Sequence, residues 1–141
     1  MSIISALQTY IKTFPSLETG RMVFVDYLGV TYDTEYSITP LPGTRIIEET
    51  ITGIKTMEYP FAFMTKVLTA DDLERVGNNG FQETFATWLD TQTLAGTFPT
   101  LEAGKTPEKI EAVSWGYLFE QGESQSGIYR IECKLTYAQG A

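Results

Sequence analysis

The spacing of apolar residues predicts two main helices separated by strands. Apolar residues recur at helical intervals from Ile3 to Phe14, behind a serine suited to a helix N-cap, and predict an amphipathic helix over residues 3–13. Pro15 disfavours helical geometry in the residue before it, so this helix should end there. A second helix is predicted over residues 81–94. Its apolar face is formed by Phe81, Phe85, Trp88 and Leu89.

The residues just before this second helix predict a separate helical segment. Thr69 or Asp71 can act as its N-cap, and Asp71, Asp72 and Glu74 stand in the first turn, where the helix dipole favours anions. The run Asn78-Asn79-Gly80 is typical of a helix break. We therefore expect residues 81–94 to form a helix of their own.

Short runs rich in β-branched and aromatic residues predict the first strands. Two such runs cover residues 22–28 and 35–39. Pro40 and Pro42 follow the second run closely, and proline cannot donate to a sheet ladder. We expect this second run to lie at a sheet edge or in a loop and not in a central strand.

A long hairpin is predicted in the middle of the chain. Residues 45–51 and 54–68 are β-prone and are separated by Thr52-Gly53, a pair typical of a hairpin turn. Pro60 interrupts the second arm and predicts a bulge or an edge position. We expect the distal half of this arm to be better buried than its tip. Alternate residues of the arm share one face: Lys55, Met57, Tyr59, Phe61, Phe63, Thr65 and Val67.

Two further strands are predicted over residues 108–120 and 127–138, joined by a polar turn. The last strand alternates strictly between apolar and polar residues. This pattern makes Cys133 a small buried apolar residue in preference to a reactive thiol. The residues that face the core with it are Tyr129, Ile131, Leu135 and Tyr137.

Length and composition indicate one α+β domain over residues 1–141, with a mostly antiparallel sheet, a long hairpin and two main flanking helices. No stretch has the features of a secretory signal, and no apolar run is long enough for a membrane span, so we expect a protein that is neither secreted nor membrane-bound. The single cysteine excludes an intramolecular disulfide and fits a reducing compartment such as the cytoplasm.

Charge and histidine content narrow the range of functions. The chain has 10 Lys and Arg against 18 Asp and Glu, a net charge of −8, and its cations are scattered. Without a basic stripe to neutralise phosphates, nucleic-acid binding is not expected. The absence of histidine excludes Ser-His-Asp and Cys-His nucleophile systems and His-ligated metals. We predict no catalytic, cofactor or metal site and no enzymatic activity.

Three local motifs resemble parts of functional sites but have simpler structural explanations. Gly104-Lys105-Thr106 matches the end of a phosphate-binding loop, but Pro99 replaces its first glycine and a strand follows, which favours a solvated turn. The acidic residues at 71–74 are explained by N-capping. Glu48 and Glu49 are neighbours in a strand and point to opposite faces, so they cannot act as an acid–base pair.

Several residues could instead contact a neighbouring protein. Tyr27, Tyr32, Tyr36 and Tyr59 lie in or beside loops and strand edges, where both packing and an interface role remain open. The hairpin turn and the connector at 96–107 offer backbone for strand addition. The candidate subunit-interface residues are Tyr36, Thr52, Gly53, Tyr59, Phe98, Leu101 and Lys105.

Five stretches also occur in the order expected for one known family. They are SALQTYIK at 5–12, TEYSI at 34–38, NGFQETFATWL at 79–89, GKTPEKIEA at 104–112 and YRIECKLTY at 129–137. Together they resemble small tail and minor capsid proteins of tailed bacteriophages, mainly phages and prophages of Gram-positive bacteria.

This resemblance implies a tail terminator or head–tail joining protein. Such a protein assembles into a ring, typically a hexamer, that caps the tail tube and docks to the head connector. The implied partners are a second copy of the chain, the tail tube protein and the head connector protein. The implied location is the head–tail interface of the virion, after synthesis in the host cytoplasm.

We expect the 45–67 hairpin and the 96–107 connector to reach adjacent subunits. Two alternatives remain open. One is a monomeric adaptor or chaperone of phage assembly. The other is a small acidic enzyme that uses carboxylates and tyrosine.

Overall fold

A computed structural model describes residues 2–17, 22–26, 34–43, 45–68, 72–121 and 126–140, without the side chains of 68, 72–76, 120, 121 and 126. This part of the chain contains two helices and seven strands. They are α1 (Ile3–Ile11), β1 (Val23–Val25), β2 (Glu35–Pro40), β3 (Ile46–Glu49), β4 (Lys55–Leu68), α2 (Asp72–Ala95), β5 (Lys105–Ala112), β6 (Tyr117–Gln121) and β7 (Ser126–Gln139).

The described strands form one sheet in the order β1-β2-β4-β7-β5. β1 and β2 are parallel, and all other pairs are antiparallel. The two longest strands, β4 and β7, pair from Lys55 opposite Gln139 to Leu68 opposite Ser126. β3 pairs with the beginning of β4, and β6 pairs with the beginning of β7. The predicted α+β class with a mostly antiparallel sheet is confirmed.

The hydrophobic core lies between one face of the sheet and the two helices. Alternate residues of β4 and β7 supply its floor, and the predicted inward face of β7 is buried throughout. In α2, Phe85 and Leu89 are fully buried, and the Phe85 ring stacks on Phe63 of β4 at 4.3 Å between centroids. The predicted amphipathic faces therefore meet across this core.

The first helix and the hairpin form as predicted. Ser2 caps α1, because its hydroxyl accepts a hydrogen bond from the Ser5 amide at 3.2 Å. Residues 46–49 and 55–68 form the two arms of the hairpin, and Gly53 at its turn has a positive φ of 90°. Burial is greater in the distal half of the long arm, as expected.

The predicted break at Asn78-Asn79-Gly80 is wrong, because α2 continues through it. Glycine costs about 1 kcal/mol in a helix relative to alanine, which tertiary contacts can outweigh. Phe81 supplies such contacts, with its ring 5.6 Å from Phe14 and 6.0 Å from Tyr36. The Thr84 hydroxyl also donates to the Gly80 carbonyl at 2.9 Å, inside the continuous helix.

The expectation that residues 35–39 lie at an edge or in a loop is also wrong. β2 lies between β1 and β4. Pro40 occupies only the last paired position of the strand, and Pro42 lies beyond it. Neither proline removes a donor from the middle of the ladder.

Pro60 is neither bulged nor in an edge strand, contrary to prediction. It stands in register opposite Lys134 of β7. Its carbonyl accepts from the Leu41 amide at 2.9 Å, on the opposite side of β4. Since N–H and C=O of one antiparallel residue point to the same side, the missing donor of Pro60 faces the gap between β2 and β3.

The predicted strand at 108–120 is two strands, β5 and β6, which pair with successive parts of β7. Between them, at Gly116, a Cβ atom would lie 2.3 Å from Cβ of Gln82 in α2. Glycine therefore allows the chain to pass close to the helix at this break.

Four residues singled out in the sequence lie outside the described residues: Tyr27, Tyr32, Thr69 and Asp71.

Candidate interaction surfaces

Tyr36, one candidate interface residue, belongs to the core. Its side chain is 2% exposed, and its ring stacks on Phe63 at 6.0 Å between centroids. The assumption that core periodicity does not include this residue is wrong, because β2 is an interior strand. Tyr36 offers no accessible surface to a neighbouring protein.

Tyr59 is half-buried and packs against the core from β4. Burial raises the pKa of its hydroxyl, and the negative charge of Asp26 and the nearby Tyr137 raise it further. The phenol is therefore held in its neutral form and can act as a hydrogen-bond donor.

Thr52 and Gly53 form the tip of the hairpin, as predicted. The Gly53 amide donates to the Thr50 carbonyl at 3.0 Å, and the hydroxyls of Thr50 and Thr52 lie 2.9 Å apart. This hydrogen bonding fixes the turn and presents apolar side chains around it. We define the hairpin surface as the exposed residues Ile46, Ile47, Ile51 and Ile54.

The connector between α2 and β5 lies against its own chain. Phe98 and Leu101 are partly buried and pack on the core. The Tyr10 hydroxyl donates to the Thr97 carbonyl at 2.8 Å, and burial raises the pKa of this phenol. The contacts of Phe98 and Leu101 therefore cover the core of the same molecule.

Lys105, the last candidate, begins β5 and forms an ion pair with Glu102 at 2.5 Å. The hydrogen bond from Lys105 lowers the pKa of the Glu102 carboxyl. The ammonium group of Lys105 therefore already has a carboxylate partner in the turn. Thr52, Gly53 and Lys105 remain accessible, but the structure does not bring the seven candidates together.

A groove of about 610 Å³ lies between α1, α2 and residues 97–100. Tyr10 and Trp88, whose rings are 5.3 Å apart, form its aromatic part. The other described lining residues are uncharged and include several serine, threonine and glutamine side chains. The groove could receive an uncharged segment of another molecule.

Sequence reasoning missed a group of exposed apolar residues at the break between β5 and β6. We name it the aromatic corner. Trp115 at its centre is 73% exposed. In the continuous strand predicted from the sequence, every second residue of this segment would be buried, whereas the break leaves them in solvent. Gly116, a glycine inside a strand pattern, was the sequence signal for this break. The corner comprises Val113, Trp115, Tyr117, Leu118 and Phe119.

Beside the aromatic corner, a recess of about 310 Å³ opens between α2 and the β5–β6 break. Small side chains, Ala86 and Ala112, form part of its wall, and Trp115 stands at its side. Asp90 is its charged member. A recess of this kind fits a protruding aliphatic side chain.

The sheet face opposite the helices carries charged residues next to the corner. The Arg130 guanidinium lies 5.0 Å from the centroid of the Phe119 ring and 3.5 Å from the Glu132 carboxylate. The Tyr117 hydroxyl donates to the same carboxylate at 3.3 Å. These contacts are long, so the guanidinium retains donors for a further carboxylate.

A second ion pair lies on this face nearer the hairpin. The Lys134 ammonium is 2.7 Å from the Glu58 carboxylate, and this hydrogen bond raises the pKa of Lys134. Burial, the second largest influence, lowers this pKa, and the charges of Glu58 and Glu111 raise it. Lys134 is thus already neutralised by its own chain.

The described residues show few groups suited to catalysis. No three His, Cys, Asp or Glu side chains among them are arranged to hold a metal ion. Cys133 is fully buried, and burial followed by the charge of Glu132 raises the pKa of its thiol, which disfavours the nucleophilic thiolate. The side chains at 71–74 lie outside the description.

No described helix is long and apolar enough to cross a membrane.

No family model matches the chain, and no curated protein matches it.

Proposed function

We propose that this protein is a structural subunit that assembles with copies of itself. The observation that carries this proposal is the pair of exposed apolar surfaces at opposite edges of the sheet, the hairpin surface and the aromatic corner. Large apolar side chains left exposed to this extent favour protein association. Two different surfaces on one subunit suit head-to-tail assembly, which closes into a ring when the rotation permits.

The biological setting follows from the sequence resemblance described above. We propose a tail terminator or head–tail joining subunit of a tailed phage or prophage, located at the head–tail interface of the virion. Its partners are further copies of the chain, the tail tube protein and the head connector protein. The α+β fold is compatible with this role.

Light scattering over a concentration series, with negative-stain imaging of the largest species, tests the proposal. We expect a concentration-dependent rise in mass and ring-shaped particles, or rings that form once purified tail tube protein is added. A chain that stays monomeric at high concentration, both alone and with tail tube protein, contradicts the proposal.

The groove between α1, α2 and residues 97–100 favours a second candidate, a monomeric adaptor of phage assembly. An adaptor would bind its client through this groove and would not associate with itself. The two candidates differ in a Trp88→Ala variant, which alters the groove. This variant should lose client binding if the chain is an adaptor and should retain self-association if it is a ring subunit.

A further inference from the structure

The free strand edges of the sheet are not equivalent. Among the described strands, β3 pairs only with β4, and β6 pairs only with β7. Neither strand contains proline or lysine, residues that discourage strand addition at an edge. The edge of β5 carries both, as Pro107 and an exposed Lys109. Among the described strands, β1 also pairs on one side only, but it has three residues and its Val23 carbonyl already accepts from the Gln8 side chain. The edges of β3 and β6 are therefore the better places for another strand to add.

Strand direction makes these two edges compatible. β3 is antiparallel to β4, β4 to β7, and β7 to β6. β3 and β6 therefore run in opposite directions. When a second copy continues the sheet in the same orientation, its β3 runs antiparallel to β6 of the first copy. Antiparallel pairing is the slightly more stable arrangement.

The hairpin carries an exposed aliphatic side chain, and the aromatic corner has a recess beside it. Ile51 at the hairpin tip is fully exposed and is the most exposed residue of the hairpin surface. The recess beside Trp115 is bounded by small alanine side chains and is open to solvent. An apolar anchor that fills such a recess is a common centre of binding energy in protein interfaces.

One pair of opposite charges favours this arrangement. Glu48 of β3 is exposed and forms no ion pair with another described residue. It pairs with Thr56, which lies on the same sheet face as Arg130. In a sheet that continues from copy to copy, the carboxylate of Glu48 approaches the side of the sheet that presents the Arg130 guanidinium.

We propose that the aromatic corner of one copy receives the β3–β4 hairpin of the next copy, with β3 added to β6 and Ile51 in the recess beside Trp115. This inference rests on the proposed self-assembly and specifies the surfaces that produce it. The interface is head-to-tail, so each copy contributes a hairpin to one neighbour and a corner to the other. Because β3 and β6 flank opposite ends of the β4–β7 pair, neighbouring copies are staggered along the strands.

Three single variants that add the same negative charge test this interface. Trp115→Glu alters the corner, Ile51→Glu alters the hairpin, and Leu94→Glu is the control, since Leu94 is 90% exposed and belongs to neither surface. We expect the first two to weaken self-association by roughly tenfold or more, as measured by sedimentation velocity. Leu94→Glu should associate as the unmodified chain does. Circular dichroism establishes that all three remain folded.

Mixing the two damaged chains distinguishes this interface from other arrangements. The Trp115→Glu chain keeps its hairpin, and the Ile51→Glu chain keeps its corner, so one intact interface can form between them. We expect the mixture to give one-to-one dimers and no larger species. An interface between two corners would instead leave the self-association of Ile51→Glu unchanged, and the mixture would contain dimers of that chain alone and none between the two different chains.

The possible results distinguish a wrong interface from a wrong proposal of self-assembly. If the unmodified chain associates while Trp115→Glu and Ile51→Glu behave as the Leu94→Glu control, the proposed interface is wrong and self-assembly stands. If the unmodified chain never associates, alone or with tail tube protein, the proposed function is overturned together with its interface.

Discussion

The aromatic residues of this chain occupy two contrasting environments. Under α2, Phe14, Phe63 and Phe85 form an enclosed cluster, with Phe14 and Phe85 5.2 Å apart between centroids. In the aromatic corner, Trp115 and Phe119 remain in solvent. Residue type does not separate the two groups. What separates them is position: the first group lies between α2 and the sheet, whereas the chain at the β5–β6 break passes close to α2 at Gly116 and still leaves Trp115 mostly in solvent.

A single sheet can thus contribute both to the stability of the fold and to association with a partner. An enclosed aromatic ring contributes through the area removed from water and through contacts with its neighbours. An exposed ring contributes little to folding and keeps its apolar area for a partner. Substitutions of the enclosed rings should therefore lower the free energy of unfolding. Substitutions in the aromatic corner should weaken self-association and leave the free energy of unfolding nearly unchanged.

The largest difference is expected between Phe85→Ala and Trp115→Ala. Phe85→Ala leaves a cavity in the enclosed cluster and should lower the free energy of unfolding by about 3–5 kcal/mol. Trp115→Ala should change it by about 0.5 kcal/mol or less, because the ring is mostly in solvent. Guanidinium denaturation of both variants measures the difference. Equal losses would show that the corner is part of the folding core.

A smaller effect is expected at the junction of the two regions. An added Cβ at Gly116 would meet Gln82 of α2, so Gly116→Ala should lower the free energy of unfolding by about 1–3 kcal/mol. Gly77→Ala is the matched control, because nothing lies within 4 Å of a Cβ there. In the helix it should raise stability by about 0.4–1 kcal/mol. Urea denaturation of the pair checks both signs, and a stable Gly116→Ala chain would contradict close packing at the break.

The buried thiol of Cys133 gives the enclosed region a distinctive pH dependence. Its raised pKa means that the folded chain binds the thiol proton more tightly than the unfolded chain does. This contribution to stability is complete below the unfolded pKa of about 8.5, and about 1.4 kcal/mol is lost for each pH unit above it.

Unfolding of the unmodified chain and of Cys133→Ala between pH 8 and 10 measures this contribution. The stability advantage of the unmodified chain should shrink as pH rises, while Tyr10 and Tyr59 titrate in both chains and cancel. A difference that does not change with pH would show that the thiol ionises freely in the folded protein.

Much of the fold could be predicted because the pattern and the structure depend on the same local geometry. The alternation in β7 buries Cys133 and its neighbours, since side chains of a strand point alternately to opposite faces. Helical spacing likewise places Phe85 and Leu89 on the buried face of α2. The hairpin turn at Thr52-Gly53 followed from residues that favour a tight turn.

The candidate surfaces were predicted less well. Sequence reasoning found the hairpin tip, but it placed Tyr36 near a surface and missed the aromatic corner. Tyr36 is buried because its ring stacks on Phe63 of β4 and Phe81 of α2, and the corner exists because the chain breaks at Gly116. Both features depend on contacts between segments far apart along the chain, which local spacing does not encode.

Local sequence pattern was enough to predict the types of the main elements, the inward faces of the long strands and the absence of histidine chemistry. Contacts between distant segments were needed to establish that α2 continues through Gly77 and Gly80, that β2 is interior, and which aromatic residues α2 covers. The physical reason is that propensities and periodicity act over a few residues and amount to about 1 kcal/mol at each position. Packing between distant segments can exceed that amount and therefore decides which surfaces are buried and which remain for a partner.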